Sequence, residues 1–109
     1  MQLFVLAFIA MVTVSLLLFD VVLRQEHRAH PQQWRQDGCP WGFFIFPRET
    51  GFWAGCKARN VVFRQWLVGN PAWLETDPVA TRYVYLFRIS VAMGCLIWAF
   101  VVMLLLKSG

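Results

Sequence analysis

The chain has 109 residues, enough for one domain at most, and it carries a formal net charge of +4. Hydrophobic residues make up 59% of it and charged residues 15%, and its mean hydropathy is +0.53. A soluble domain of this length has too little interior to hide so much apolar surface, so the composition indicates a membrane protein. The modest positive charge does not supply the dense basic face of a nucleic-acid-binding protein, and we expect no nucleic-acid partner.

Two apolar runs lie near the ends of the chain, at residues 1–23 and 83–106. About 20 apolar residues cross a hydrocarbon core of ~30 Å, so both runs are long enough to span a bilayer. The second run contains the uncharged stretch 89–106 and extends backwards if Arg88 reaches the interface. The first run lacks the basic flank and the small-residue cleavage site of a signal peptide. We therefore predict two transmembrane helices that pack as an antiparallel hairpin.

The distribution of basic residues predicts the orientation of these helices. Nine of the ten Lys and Arg residues lie between Leu23 and Ile89, and only Lys107 lies beyond them. Loops rich in Lys and Arg remain in the cytoplasm. We therefore expect a multi-pass protein of the bacterial inner membrane, with residues 24–82 in the cytoplasm and both termini in the periplasm.

Asp20 is the only charged residue in the first run, and an acid inside a span is a candidate functional residue. It lies one helical turn before Arg24. In an antiparallel hairpin Arg88 lies at a similar depth. We predict an ion pair between Asp20 and Arg24 or Arg88 that fixes the register of the two spans.

The central segment is mostly helical in its pattern. A polar stretch broken by Pro31 leads into an aromatic loop that is rich in Gly and Pro, at residues 37–47. An amphipathic helix is predicted at about 51–68, with Thr50 as its cap and Gly69 as its stop signal. Asn70-Pro71 then predicts a short helical turn. Asp77-Pro78 predicts a helix that starts at residue 78 and continues through the second span.

The predicted helix at 51–68 is basic and aromatic, and it can serve in three ways. Its apolar stripe can face anionic lipid headgroups, pack on the neighbouring loop and helix, or bind another protein. We therefore expect the lipid bilayer and a membrane-protein partner, or further copies of the chain, to be its partners. The residues predicted to bind them are Trp41, Phe44, Phe52, Trp53, Lys57, Arg59, Phe63, Arg64 and Trp66.

A metal site is the alternative chemical interpretation. Two imidazoles and two thiols, from His27, His30, Cys39 and Cys56, are a usual zinc ligand set, although their spacing fits no standard motif. A redox- or metal-responsive membrane sensor is therefore the second functional hypothesis. The serines lie in or beside the spans, the acids are not paired, and the glycines form no phosphate-binding loop. We expect no enzymatic activity and no cofactor.

The layout resembles universal stress protein B and similar small two-span inner-membrane proteins of gammaproteobacteria. The matching pieces are Asp37-Gly38, Gly42-Phe43-Phe44 and the approach to the second span at residues 82–94. The Trp-rich central segment and the three cysteines depart from that family. The resemblance implies an inner-membrane location and an architecture, with no catalytic residues. The leading hypothesis is a non-enzymatic accessory, scaffold or stress-related membrane protein that binds a partner or lipid headgroups through its central segment.

Overall fold

A computed structural model describes residues 2–108, and every regular element in that range is a helix. The elements are α1 Gln2–Ala29, α2 Pro31–Gln36, α3 Phe52–Val68, α4 Ala72–Glu75 and α5 Pro78–Ser108. The all-helical fold class predicted from the sequence is confirmed for these residues. Met1, the first residue of the predicted span 1–23, lies outside the described range.

The two longest helices, α1 and α5, contain the apolar runs. Both are long and apolar enough to cross a membrane, and the best 18-residue window of each has a mean hydropathy of 2.6. Each helix also continues beyond its apolar run into polar sequence. α1 extends to Ala29, one residue before the His30-Pro31 pair, because the residue that precedes a proline disfavours the helical conformation.

α1 and α5 lie side by side and run in opposite directions. The rings of Phe4 and Phe100 are 5.0 Å apart at one end, and the hydroxyls of Ser15 and Ser90 are 2.9 Å apart midway. Phe19 then contacts Phe87, with 5.9 Å between ring centroids. The contacting residues have increasing sequence numbers along α1 and decreasing sequence numbers along α5. The first half of each helix therefore lies beside the second half of the other.

An aromatic core forms where the central segment meets the two long helices. The ring of the fully buried Phe19 is 5.3 Å from Phe43, 5.5 Å from Phe63 and 4.8 Å from Trp66. These partners come from the loop before α3 and from α3 itself. Aromatic pairs at such separations add to the stability gained by burial. The central segment is therefore packed against α1 and α5 and does not extend away from them.

Asp77 joins the polar ends of the two long helices. Its Oδ1 accepts a hydrogen bond from the amide of Ala80 at 3.0 Å, which caps the start of α5. Its Oδ2 accepts a hydrogen bond from Gln25 Nε2 at 2.9 Å and lies 2.9 Å from His30 Nε2. One carboxylate thus fixes both the start of α5 and its position beside α1. No such cap exists at α3, where Gly51 precedes the helix and the hydroxyl of Thr50, the predicted cap, has no partner.

Acid is expected to weaken the Asp77 contacts. Burial raises the pKa of Asp77, but the hydrogen bonds from Gln25, Ala80 and His30 outweigh it and hold the pKa below the ordinary value of 3.8. A carboxyl group with a lowered pKa contributes stability that is complete above its unfolded value and is lost as the pH falls through its folded value. Unfolding in detergent should therefore become easier below about pH 4. Asp77→Asn should be less stable than the native chain at pH 7 and lose less stability in acid. If the free energy of unfolding fell equally with pH in Asp77→Asn and in the native chain, this role of Asp77 would be contradicted.

Candidate functional site

Asp20 is bound by the loop between α2 and α3. Its Oδ1 accepts a hydrogen bond from the amide of Phe43 at 2.7 Å, and its Oδ2 accepts from the amides of Phe44 at 2.6 Å and Ile45 at 3.1 Å. The residue is only 4% exposed, so these amides replace the water that would otherwise solvate the carboxylate. Consecutive backbone N–H groups form a concave binding site for an anion, and hydrogen bonds to an ionised acceptor are strong. We call this arrangement the Asp20 site.

The Asp20 site corrects the predicted ion pair with Arg24 or Arg88. Arg24 is exposed, and Arg88 donates its hydrogen bonds elsewhere. The loop amides lie outside any helix and need an acceptor, because a buried N–H without a partner is costly. An exposed arginine is solvated by water and gains little from an ion pair. The carboxylate of Asp20 therefore binds the loop amides, which would be costly to leave unpaired, and Arg24 stays in water.

Gly42 lets the loop approach Asp20. A Cβ atom at this position would lie 2.6 to 2.9 Å from the carboxyl atoms of Asp20, which is closer than real side chains come. The amide of Gly42 donates to the carbonyl of Ile45 at 2.8 Å and closes the turn that presents the next three amides. A side chain here would push the loop away from the carboxylate that holds it.

Arg88 attaches the end of α3 to α5. Its Nε donates to the carbonyl of Trp66 at 2.6 Å, and one terminal nitrogen donates to the carbonyl of Gly69 and, at 3.1 Å, to Asn70 Oδ1. Carbonyls at the end of a helix have no partner within it, and a cation is favourable there. Asp20 and Arg88 therefore act separately, one on the loop before α3 and the other at the end of α3.

The start of α3 packs closely on Trp41. The amide of Trp41 donates to the carbonyl of Gly55 at 3.1 Å, and its indole N–H is shared by the carbonyls of Pro47 at 3.1 Å and Thr50 at 3.2 Å. Gly55 is buried, and a Cβ atom there would collide with the indole ring. The missing side chain of Gly55 is therefore what allows the loop and α3 to meet.

The apolar stripe of α3 divides into two halves. In the second half, Val62 is 1% exposed and Trp66 is fully buried, and Phe63 and Leu67 pack against the same core. In the first half Phe52 and Trp53 are exposed, whereas Cys56 is half-buried. The interpretation of the stripe as core is thus correct for its second half alone. The predicted binding residues Phe63 and Trp66 belong to that core.

Four large aromatic side chains of the preceding loop and of the first half of α3 remain exposed. Phe44, Phe46 and Phe52 are each 56% exposed, and Trp53 is 83% exposed. Trp41 contacts two of them, since its ring centroid lies 5.1 Å from Phe46 and 5.6 Å from Phe52, and Phe52 contacts Trp53 at 5.2 Å. Rings that hold one another in this way present a fixed shape. We call Phe44, Phe46, Phe52 and Trp53 the exposed aromatic surface.

The basic residues of α3 have different environments. Lys57 and Arg64 are exposed, as expected for contacts with headgroups or a partner. Arg59 is half-buried, and its guanidinium lies 4.5 Å from the centroid of the Phe43 ring, a cation–π contact. It therefore helps to hold the loop, and only Lys57 and Arg64 offer free charge on this helix.

The four predicted metal ligands do not converge. His27 Nε2 lies 3.6 Å from Glu49 Oε1, whereas His30 contacts Asp77. Cys39 and Cys56 are free, half-buried thiols. Within residues 2–108 no three His, Cys, Asp or Glu side chains are grouped so that they can hold a metal ion. The predicted zinc-type set is therefore not assembled by this fold, because both histidines bind acids from other segments.

Glu26 is an unexpected buried acid. It is 0% exposed, and neither of its carboxyl oxygens has a hydrogen-bond partner among residues 2–108. Burial, with the nearby carboxyl of Asp37 as a smaller cause, raises the pKa of Glu26 to about 10. A buried carboxyl with so high a pKa is neutral at pH 7, and this lowers the cost of burying it. The sequence offered no sign that Glu26 is buried, because it stands in a polar stretch that is expected to face water.

No family model, curated protein or solved structure matches this chain. The fold and the candidate site define an all-helical protein with two long apolar helices and an aromatic central segment packed beside them. The resemblance to universal stress protein B remains a prediction.

Proposed function

We propose that α1 and α5 are a transmembrane hairpin. Only 22% of the apolar window of α1 and 11% of that of α5 is buried, whereas the core helix of a soluble protein is mostly buried. The exposed remainder is apolar along both helices, from Leu3 to Val21 and from Ile89 to Leu106. Lipid is the solvent that such surfaces need.

The charged residues support a particular depth for the hairpin. Asp20 lies 18 residues after Gln2, and Arg88 lies 19 residues before Lys107. At 1.5 Å per residue both distances are about 27 to 29 Å, close to the thickness of the hydrocarbon core. Asp20 and Arg88 then stand at the same membrane boundary, and α3 lies in the interfacial layer. The bias of basic residues favours the cytoplasmic side of a bacterial inner membrane for this layer.

The function we propose is that of a non-enzymatic accessory or scaffold protein of the membrane, which binds a membrane-protein partner through its interfacial segment. The exposed aromatic surface is the observation that carries this proposal. Exposed Trp and Phe side chains clustered around a rigid centre are typical of binding hot spots. Lys57 and Arg64, on the same helix, add affinity for anionic headgroups.

Photo-crosslinking in the membrane of the native host tests this function. A photoreactive phenylalanine analogue at position 53 should give one discrete protein adduct. The same analogue at position 68 is the control, because Val68 is 86% exposed but lies at the other end of α3. The double variant Phe52→Ser, Trp53→Ser, which has no photoreactive residue, should co-purify with about 30-fold less of that partner than the native chain does. This is the effect of losing roughly 2 kcal/mol of binding free energy.

A stability measurement on that double variant shows whether it loses the partner through a missing contact or through unfolding. Both side chains are exposed, so we expect the free energy of unfolding to change by less than about 1 kcal/mol. Equal adducts from positions 53 and 68, or adducts with lipid alone, would contradict a protein partner at the exposed aromatic surface.

A further inference from the structure

A second site lies on α5 at the membrane boundary, away from the exposed aromatic surface. A cavity of about 220 Å³ opens between α4 and the first turns of α5. Its polar lining comes from Asn70, Glu75, Thr81, Tyr85 and Arg88, and Leu74 and Val84 complete its wall. It thus combines one cation, one anion and an aromatic ring in a single recess. We call it the Arg88 cavity.

Arg88 has unused hydrogen-bonding capacity in this cavity. A guanidinium has five N–H groups, and the bonds to Trp66, Gly69 and Asn70 use Nε and one terminal nitrogen. The other terminal nitrogen donates to no residue between positions 2 and 108, and the contact with Asn70 is open to solvent. The arginine is therefore fixed by α3 while one edge remains free for an acceptor from outside, such as a phosphate oxygen.

Glu75 supplies the opposite charge. It is the last residue of α4, it is exposed, and it forms no ion pair within the described residues. A carboxylate in the same cavity as an arginine disfavours a purely anionic ligand and favours one that also has a positive group. Tyr85 lies beside them, with its ring centroid 5.6 Å from the Arg88 guanidinium.

We propose that the Arg88 cavity binds the headgroup of a zwitterionic phospholipid that carries a primary amine. The phosphate would accept hydrogen bonds from the free edge of Arg88, and the ammonium would donate to the carboxylate of Glu75. This proposal rests on the membrane placement given above, since Arg88 directly precedes the uncharged stretch 89–106 and so stands at the level of lipid phosphates. The headgroup would enter the cavity while its acyl chains lie along α5.

The proposal predicts a selectivity among lipids. The purified full-length chain is exchanged into nanodiscs that contain equal amounts of phosphatidylethanolamine, phosphatidylcholine and phosphatidylglycerol, and the retained lipid is measured by native mass spectrometry. We expect phosphatidylethanolamine to be retained most. Glu75→Gln should reduce its preference over phosphatidylglycerol about fivefold, the effect of one exposed charge pair.

Glu49→Gln is the matched control, because Glu49 is also exposed and its loss changes the net charge equally, but it lies in the loop before α3. The Glu49→Gln variant should prefer phosphatidylethanolamine over phosphatidylglycerol as strongly as the native chain does. Equal losses in the two variants, or no preference in the native chain, would overturn the proposal and leave the membrane placement intact. Release of the native protein from membranes by alkaline carbonate would instead refute the placement itself.

Discussion

Asp20→Asn is expected to lower the free energy of unfolding in detergent by about 3 kcal/mol, because the loop amides lose a charged acceptor and face a side-chain amide that can itself donate. The loop of Phe43 to Ile45 should then detach from α1 and expose Phe19, the centre of the aromatic core. Denaturant titration followed by tryptophan fluorescence measures the loss. Near-ultraviolet circular dichroism should report the loosened aromatic packing.

Arg24→Gln is the control for this prediction. If Asp20 depended on an ion pair with Arg24, both variants would be damaged to a similar degree. The structure gives Asp20 other partners and leaves Arg24 exposed, so Arg24→Gln should cost less than about 0.5 kcal/mol. Comparable losses of stability in the two variants would support an ion pair between Asp20 and Arg24 and would contradict the Asp20 site.

Gly55→Ala is the second change with a large expected effect. A methyl group at this position would overlap the ring of Trp41, which cannot move freely because its indole N–H is bound to Pro47 and Thr50. Overpacking a rigid interior commonly costs about 1 to 3 kcal/mol, and we expect the upper part of that range. Separation of the loop from α3 should also abolish the photo-crosslink from position 53, since Trp41 supports the exposed aromatic surface.

Gly51→Ala separates this steric effect from the general effect of replacing a glycine. A Cβ atom at Gly51 would have nothing within 4 Å, and the residue has an ordinary extended conformation with φ of −73°. The substitution should change the free energy of unfolding by less than about 1 kcal/mol, because the reduced freedom of the unfolded chain offsets the lower preference for alanine at a helix N-cap. An equal loss of stability in the two variants would contradict the collision with Trp41.

Local sequence signals account for much of the helical framework. The apolar runs have the length of a span, Asp77-Pro78 stands where α5 begins, and Gly69 follows the last residue of α3. Each of these signals acts within a few residues, where backbone geometry and hydrogen bonding dictate the outcome. The same logic misplaced the cap of α3, because Gly51 rather than Thr50 precedes the helix and the Thr50 hydroxyl is buried without a bond.

The candidate site could not be predicted in the same way. Asp20 is bound by backbone amides more than 20 residues away, and every residue except proline has such an amide, so no side-chain pattern distinguishes the partners. The sequence showed that Asp20 needed a partner, but charge matching pointed to arginine. Gly42 and Gly55 matter because of what lies opposite them, Asp20 and Trp41, and that depends on the tertiary arrangement.

The contact between Asp20 and the loop also has a consequence for biosynthesis. All its atoms belong to the first 45 residues, so it is available while α5 has yet to leave the ribosome. The nascent chain can therefore hold the end of α1 and its loop together before α5 is complete. Phe87 and Arg88 then arrive at a surface that already exists. An error in the first step would be carried into the docking of α5.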